Sequence, residues 1–316
     1  MPGSTTTGPT FLGIGAQKAG TSWLHSQLDK HPQIWMPPLK KEIHYFDRST
    51  SYLSPNDLAT SSFKDRLFGN EQWERERTMD CLATIVRQLL KLKFQNARWW
   101  AKWTFGYYDE DWYRSLFSQA KADQQCGEVT PAYSILTRED VARIAALNPE
   151  MKLIFMLRNP IERAWSSIRF AIDRKNADFD ITSSSAIVKR LQEPLMMLRG
   201  DYERTLALYS ELFDPSQILI GYYDAISQDP HGLLSGVTEF LEISPLHSTL
   251  IDNQTRVNSS PPRPIPADVK DYLWETYSPM IERLASSVGG YAKHWNGDQD
   301  CPAEATLTLD QSVICA

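Results

Sequence analysis

Residues 11–30 read FLGIGAQKAGTSWLHSQLDK, and their order decides the fold class. Phe11 to Ala16 is a short apolar run ending in glycines, and Thr21 to Lys30 places Trp23, Leu24 and Leu28 at helical spacing. The stretch therefore predicts strand, loop, helix. The same pattern recurs downstream. Lys152 to Leu157 (KLIFML) is a continuous apolar run between Asn148-Pro149 and Asn159-Pro160, as a strand covered on both faces should be. Ile161 to Lys175 follows as a helix, with Pro160 suited to its start. Gln217 to Tyr223 (QILIGYY) leads to a helix from Pro230 to Leu241, and Val129 to Ile135 reads as a further strand. Strands alternating with helices predict an α/β protein with a central, mainly parallel sheet flanked by helices.

The rest of the composition narrows the function. The chain has 316 residues, of which 42% are hydrophobic and 23% charged, with 33 Lys and Arg against 39 Asp and Glu, a net charge of −6. This is an ordinary soluble composition, and the length allows two domains or, equally well, one α/β domain with insertions. A net negative chain is not built to coat nucleic acid or an anionic membrane, so any anion it binds must be held by a local cluster. Met1 to Thr10 reads as a flexible N-terminus, 11–295 as the domain and 296–316 as a polar tail. The absence of an apolar leader and of any run near the ~18 residues of a membrane span predicts a cytoplasmic protein without a transmembrane segment. Cys81, Cys126, Cys301 and Cys315 are widely spaced, which predicts reduced thiols and no metal site.

Asp80 to Trp100 and Asp109 to Ala120 read as helices, forming a cap over residues 80–120. Nine aromatics lie between Phe94 and Tyr113, among them Trp99, Trp103, Trp112 and Tyr113. Aromatics either fill a core or stack on a flat or sugar face, so this segment, Trp103 included, either packs or walls an acceptor pocket. Asn258 to Pro266 is a Pro-rich loop leading into a helix from Asp268 to Ser286.

Two clusters suit anions. Lys18-Ala19-Gly20-Thr21-Ser22 sits where the first strand gives way to a helix, so small residues allow close approach while helix amides, a lysine and two hydroxyls supply donors. The lysine precedes the glycine, which is not the order of a nucleotide triphosphatase loop, and a dinucleotide fingerprint is incomplete. Arg158 stands at the end of the KLIFML run, beyond a strand's carboxyl end, with Ser166 within two helical turns; Arg158 either grips a phosphate or pairs with Glu162. A third segment, Lys40-Lys41-Glu42-Ile43-His44-Tyr45-Phe46-Asp47, gathers a carboxylate with neighbours able to orient a substrate or tune it.

Together QKAGTSWL, KEIHYFD, GEVTPAYS, RNPIERAWS, NSSPPRP and Trp295 resemble the sulfotransferases that use 3′-phosphoadenosine 5′-phosphosulfate (PAPS), particularly the branch of the heparan sulfate sulfotransferases and their bacterial relatives. The resemblance implies a P-loop-like three-layer fold and sulfuryl transfer from PAPS to a hydroxyl of a small-molecule, lipid or glycan acceptor. It implies that Lys18, Ala19, Gly20, Thr21, Ser22 and Trp23 hold the 5′-phosphosulfate, that Arg158 and Ser166 hold the 3′-phosphate, and that Arg263 approaches the nucleotide. Glu42 becomes the general base, Lys18 also stabilises the departing phosphate, and His44, Asp47, Tyr133 and Trp103 are expected on the acceptor side. One departure is Val129 in GEVTPAY, where heparan-directed members carry a lysine; losing that cation weakens the case for a polyanionic glycan. The competing readings are an ATP-dependent small-molecule kinase and a non-catalytic nucleotide-binding module.

Overall fold

The computed structural model describes residues 8–38, 40–49, 52, 62–175, 177–246, 261–296 and 304–309. Along the chain run β1 (Phe11–Gly15), α1 (Thr21–Leu28), β2 (Ile34–Trp35), α2 (Phe63–Phe68), α3 (Gln72–Leu90), α4 (Phe94–Phe105), α5 (Glu110–Ser115) and β3 (Gln125–Val129). There follow α6 (Arg138–Leu147), β4 (Lys152–Leu157), α7 (Pro160–Asp173), α8 (Ser184–Leu191), α9 (Pro194–Leu198) and α10 (Tyr202–Ser210). The chain then forms β5 (Ile218–Tyr222), α11 (Ala225–Gln228), α12 (Pro230–Phe240), α13 (Ala267–Ser287) and β6 (Thr306–Thr308). The strands form one sheet in the order β2-β3-β1-β4-β5-β6, parallel throughout except for β6 against β5.

The sheet's centre is its apolar core. Every residue of β1 and β5, and all of β4 but Lys152, is buried, which is why these strands are continuous apolar runs. The turn from β4 into α7 is set locally: Asn159 Oδ1 accepts the Ile161 amide at 3.0 Å, and Pro160 fills the first helical position, where no donor is needed. β1, β3, β4 and β5 thus release their carboxyl ends at one edge.

Four expectations are corrected. The strand placed at Val129–Ile135 ends at Val129; Pro131 lacks an amide for the ladder, and Pro131–Ile135 coils into a 3-10 turn. The helix placed at Asp80–Trp100 is two antiparallel helices, α3 and α4, broken where Leu92 takes a positive φ of 56°. Gly8 to Thr10 are not loose, because the Thr10 amide and carbonyl bond to Cys126 and Lys152 on the flanking strands. In the tail, Thr306–Thr308 adds β6 to the sheet edge, while 297–303 and 310–316, like residues 1–7, lie outside the described residues. Among the described residues no helix is long and apolar enough to cross a membrane.

Candidate active site

The loop leaving β1 is a cradle shaped by its backbone. The Ala16 amide donates to the Met156 carbonyl at 2.7 Å and the Ala19 amide to the Ala16 carbonyl at 3.2 Å, tying the loop to β4 and to itself. Gly20 has φ 84°, and a Cβ there would come within 2.3 Å of Ile226 Cδ1 and 3.1 Å of Tyr223 Cδ2, so the position needs glycine twice over. Lys18 also sits in the left-handed region, at φ 70°, a conformation that costs a lysine roughly 1 kcal/mol. Ala19 and Trp23 turn their side chains into the core, leaving only their main chain to serve the loop.

Lys18 points toward α7, with Nζ 3.9 Å from the centre of the Phe170 ring. Burial, then Arg158, Arg169 and Arg174, bring its pKa down to about 8, with Asp173 opposing. Four cations against Asp173 and the half-exposed Glu162 make a net positive field that an anion would relieve. Arg158 spans the ends of three strands. Its Nη1 donates to the Lys18 carbonyl at 3.2 Å, its guanidinium lies 4.2 Å from the Tyr223 ring, and Nη2 reaches Glu162 at 3.3 Å. That last pair is half exposed on the Glu162 side and so contributes little by itself. Ser166 is buried on α7 between Trp165 and Arg169. Trp165 Nε1 donates to the Arg263 carbonyl at 2.8 Å and Arg169 Nη1 to the Pro261 carbonyl at 3.4 Å, which brings the late loop against α7 with the Arg263 side chain exposed.

The segment 40–47 has no regular secondary structure and is pinned from below by a buried carboxylate. Glu128 accepts the Ile43 amide at 2.8 Å, the Tyr113 hydroxyl at 2.7 Å and the Tyr133 hydroxyl at 2.9 Å; burial pushes its pKa up. The Tyr133 oxygen in turn accepts the Tyr45 amide at 3.0 Å, and the Lys41 carbonyl accepts the Val129 amide at 3.2 Å.

On this platform charges alternate. Asp47 Oδ2 lies 2.7 Å from His44 Nδ1, His44 Nε2 lies 3.2 Å from Glu42 Oε2, and Lys41 Nζ lies 3.1 Å from Glu42 Oε1. The same ammonium donates to Thr21 Oγ1 at 3.1 Å and Ser22 Oγ at 3.2 Å, so the chain of contacts runs from buried Asp47 into the β1 loop. Burial pushes the Glu42 carboxyl up, but the bond from His44 and the field and bond of Lys41 outweigh it and hold it at about 2. Burial pushes His44 down, but its bonds to Asp47 and Glu42 raise it to about 10, so the imidazole is a cation at neutral pH. For Lys41 burial wins over Glu42 and lowers the pKa.

The structure brings Lys18, Gly20, Thr21, Ser22, Glu42, His44 and Arg158 to the carboxyl ends of the strands. Three expected acceptor contacts are corrected. Tyr133 is fully buried, with its hydroxyl committed to Glu128 and Tyr45; Asp47 is buried behind His44; and Trp103, 1% exposed, packs on Trp99 and Trp112 with Lys40 Nζ 4.4 Å from its ring centre. Each supports the site from behind. The contact of Lys41 with the β1 loop and the role of Glu128 as an anchor are not evident from the sequence. Lys41 looks like a surface partner of its neighbour Glu42 until the fold sets it against Thr21 and Ser22. Glu128, the one charged residue among the four buried residues of β3, is the available signal for a buried anchor.

A model of the family described as "Sulfotransferase family" matches residues 9–247. Human heparan sulfate glucosamine 3-O-sulfotransferase 6 is 31% identical over 136 residues, 41% of this chain and 39% of that protein. Mouse heparan sulfate glucosamine 3-O-sulfotransferase 3B1 is 29% identical over 137 residues, 41% of this chain and 34% of that protein. The match therefore spans about a third of the length of these relatives. Among solved structures, a sulfotransferase from Alicyclobacillus acidocaldarius superposes with a TM-score of 0.61 at 21% identity, covering 91% of this chain and 98% of that one. The sulfotransferase domain of the Synechococcus PCC 7002 olefin synthase gives 0.53 at 16% identity, covering 88% and 96%. These two likenesses establish the fold: the P-loop-like α/β architecture.

Proposed function

Because the chain belongs to the sulfotransferase family, we propose that it moves a sulfuryl group from PAPS to the hydroxyl of a small-molecule, lipid or glycan acceptor, in the cytoplasm. The observation that carries this reading is the position of Lys41, which touches the hydroxyls of the β1 loop and the Glu42 carboxylate at once. An anion cradle and a candidate base then form one unit.

The residues fit the donor on the ground of charge. Lys18, crowded by Arg158, Arg169 and Arg174, lies where a phosphorylated nucleotide would neutralise the excess. In this reading Lys18, the main chain of Ala19, Gly20 and Trp23, and the hydroxyls of Thr21 and Ser22 hold the 5′-phosphosulfate. Arg158 and Ser166 hold the 3′-phosphate, with the loop of Arg263 closing beside them. PAPS supplies the sulfuryl group and leaves as adenosine 3′,5′-bisphosphate.

Glu42 takes the acceptor's hydroxyl proton as the new S–O bond forms, and Lys18 neutralises charge gathering on the bridging oxygen. His44 orients Glu42, and Asp47 fixes the His44 ring through Nδ1. Two flanking cations make Glu42 a weak base when the donor is absent. A negative group in the β1 loop draws Lys41 toward itself, and a carboxylate relieved of that cation becomes more basic. Lys41 thereby couples proton removal to donor occupancy.

The test uses radiolabelled PAPS with a panel of alcohols, read by mass spectrometry for the sulfate adduct, and calorimetry with ATP and adenosine 3′,5′-bisphosphate. Label on an alcohol, with preference for the 3′-phosphorylated nucleotide, is expected. Preference for ATP with phosphoryl transfer would replace this reading with a kinase, and nucleotide binding without transfer would replace it with a passive binder.

A further inference from the structure

The strongest feature outside the site is the end of the helical hairpin α3–α4. Leu90 is 78% exposed, Leu92 74% and Phe94 62%, and Leu89 and Val86 are exposed beside them. Along α3, Met79, Ala83, Val86 and Leu90 follow at helical spacing on the solvent side, while Cys81, Leu82 and Ile85 are partly covered. The side of α3 that the protein covers holds Glu74, Thr78 and Gln88, so the apolar side chains of its last turns lie largely on the solvent side.

Charge is equally one-sided. From Cys81 to Tyr108 the chain carries Arg87, Lys91, Lys93, Arg98 and Lys102 and no Asp or Glu, in a molecule whose net charge is −6. Arg87 bonds only within its own helix, to the Ala83 carbonyl and the Thr84 hydroxyl, and Lys102 bonds to the Ser115 carbonyl. Among the described residues no carboxylate pairs with Arg87, Lys91, Lys93 or Arg98. The turn itself is tight, with the Leu92 amide on the Leu89 carbonyl and the Lys93 amide on the Gln88 carbonyl, both at 2.9 Å. It holds Leu92 at a positive φ where a leucine is disfavoured, with the side chain exposed.

We propose that this hairpin end is a docking surface for an anionic lipid bilayer, with Leu89, Leu90, Leu92 and Phe94 entering the interface and the four unpaired cations lying at headgroup level. A protein partner normally meets such side chains with a pocket and its own carboxylates at fixed places. A projecting turn of aliphatic and aromatic tips among lysines and arginines that no carboxylate pairs matches a fluid, negatively charged surface. The −6 net charge of the whole chain does not oppose this, because attraction to a surface acts within about a Debye length. At its root the hairpin packs through Trp103 beside Lys40, two residues from Glu42, so docking would place the catalytic segment on a fixed side of the membrane surface.

The test is flotation of the full-length protein with vesicles of phosphatidylcholine alone and of phosphatidylcholine with phosphatidylglycerol, at low and high salt. Partition onto the anionic vesicles only, falling with salt, is expected. Leu90→Ser/Leu92→Ser/Phe94→Ser should lower partition by about tenfold or more. Lys91→Glu/Lys93→Glu should lower it by roughly fivefold per removed cation. Both variants should keep the wild-type circular dichroism and melting midpoint, since the side chains are exposed. Equal partition onto both vesicle types, or undiminished partition of both variants, would overturn the proposal. So would a dimer in light scattering that the triple variant dissolves, because a second copy would then be what covers the tip.

Discussion

The loop after β1 and the hairpin α3–α4 use their side chains in opposite ways. The loop turns charge inward: Lys18 lies over Phe170 among three guanidinium groups, and its shape is held by backbone bonds and by a glycine that nothing larger can replace. The hairpin buries aromatics at its root, where Trp99, Trp103 and Trp112 pack together, and turns leucines and lysines outward at its tip. Residue type alone therefore does not separate structure from chemistry in this protein. A lysine joins a cationic cluster where the backbone draws it in, and a tryptophan is structural where its neighbours cover both faces.

The comparison can be broken most forcefully at Glu42. Glu42→Gln should lower kcat by about 10²- to 10⁴-fold while leaving donor affinity unchanged in calorimetry, because a general base, the role proposed for Glu42, acts only in the transition state. Normal turnover would remove Glu42 from that role. Next in size, Trp103→Ala should cost about 3–5 kcal/mol in urea unfolding, as expected for emptying a buried aromatic site, whereas Phe94→Ala at the tip should change stability by less than about 0.5 kcal/mol. Similar losses at both positions would erase the distinction between root and tip.

Smaller again is the loop lysine. Lys18→Met should weaken the donor by about 1.5–3 kcal/mol, roughly 10- to 150-fold. The pH dependence sharpens this prediction. With Lys18 at about 8 in the free protein and the bound nucleotide favouring its charged form, affinity should hold below that pH and fall by up to about tenfold per unit above it. Lys18→Met should flatten the slope. The smallest effect is expected from Lys41→Met. Removing one of the two cations that depress Glu42 should move the acid limb of kcat/KM upward toward the ordinary carboxylate range, and an unmoved limb would uncouple Lys41 from the base.

Much of the fold was legible because local sequence dictates it. The KLIFML run is β4 to the residue, and α7, β5 and α12 begin within a residue or so of where Pro160, the QILIGYY run and Pro230 place them. β6 was not, since three residues of Thr-Leu-Thr have no periodicity and are recruited by the exposed edge of β5. The break between α3 and α4 was hidden for a similar reason: the turn carries Leu92 in place of the glycine that usually announces a left-handed residue. In the candidate site, the placement of the β1 loop and of Arg158 at strand ends was legible from the apolar runs that precede them. The failed acceptor assignments of Tyr133, Asp47 and Trp103 share one cause, because polar and aromatic side chains that hold a platform have the same composition as those that touch a ligand.

The central claim is the proposal that Lys18 and Arg158, neighbours in one cationic cluster, grip opposite ends of one nucleotide. The most direct measurement is calorimetry of adenosine 3′,5′-bisphosphate against adenosine 5′-monophosphate on the wild-type protein and on Arg158→Ala. The account predicts that the doubly phosphorylated nucleotide binds at least about tenfold more tightly to the wild type, from charge-assisted bonds to its 3′-phosphate, and that the advantage vanishes in the variant. Equal affinities for the two nucleotides on the wild type would contradict it.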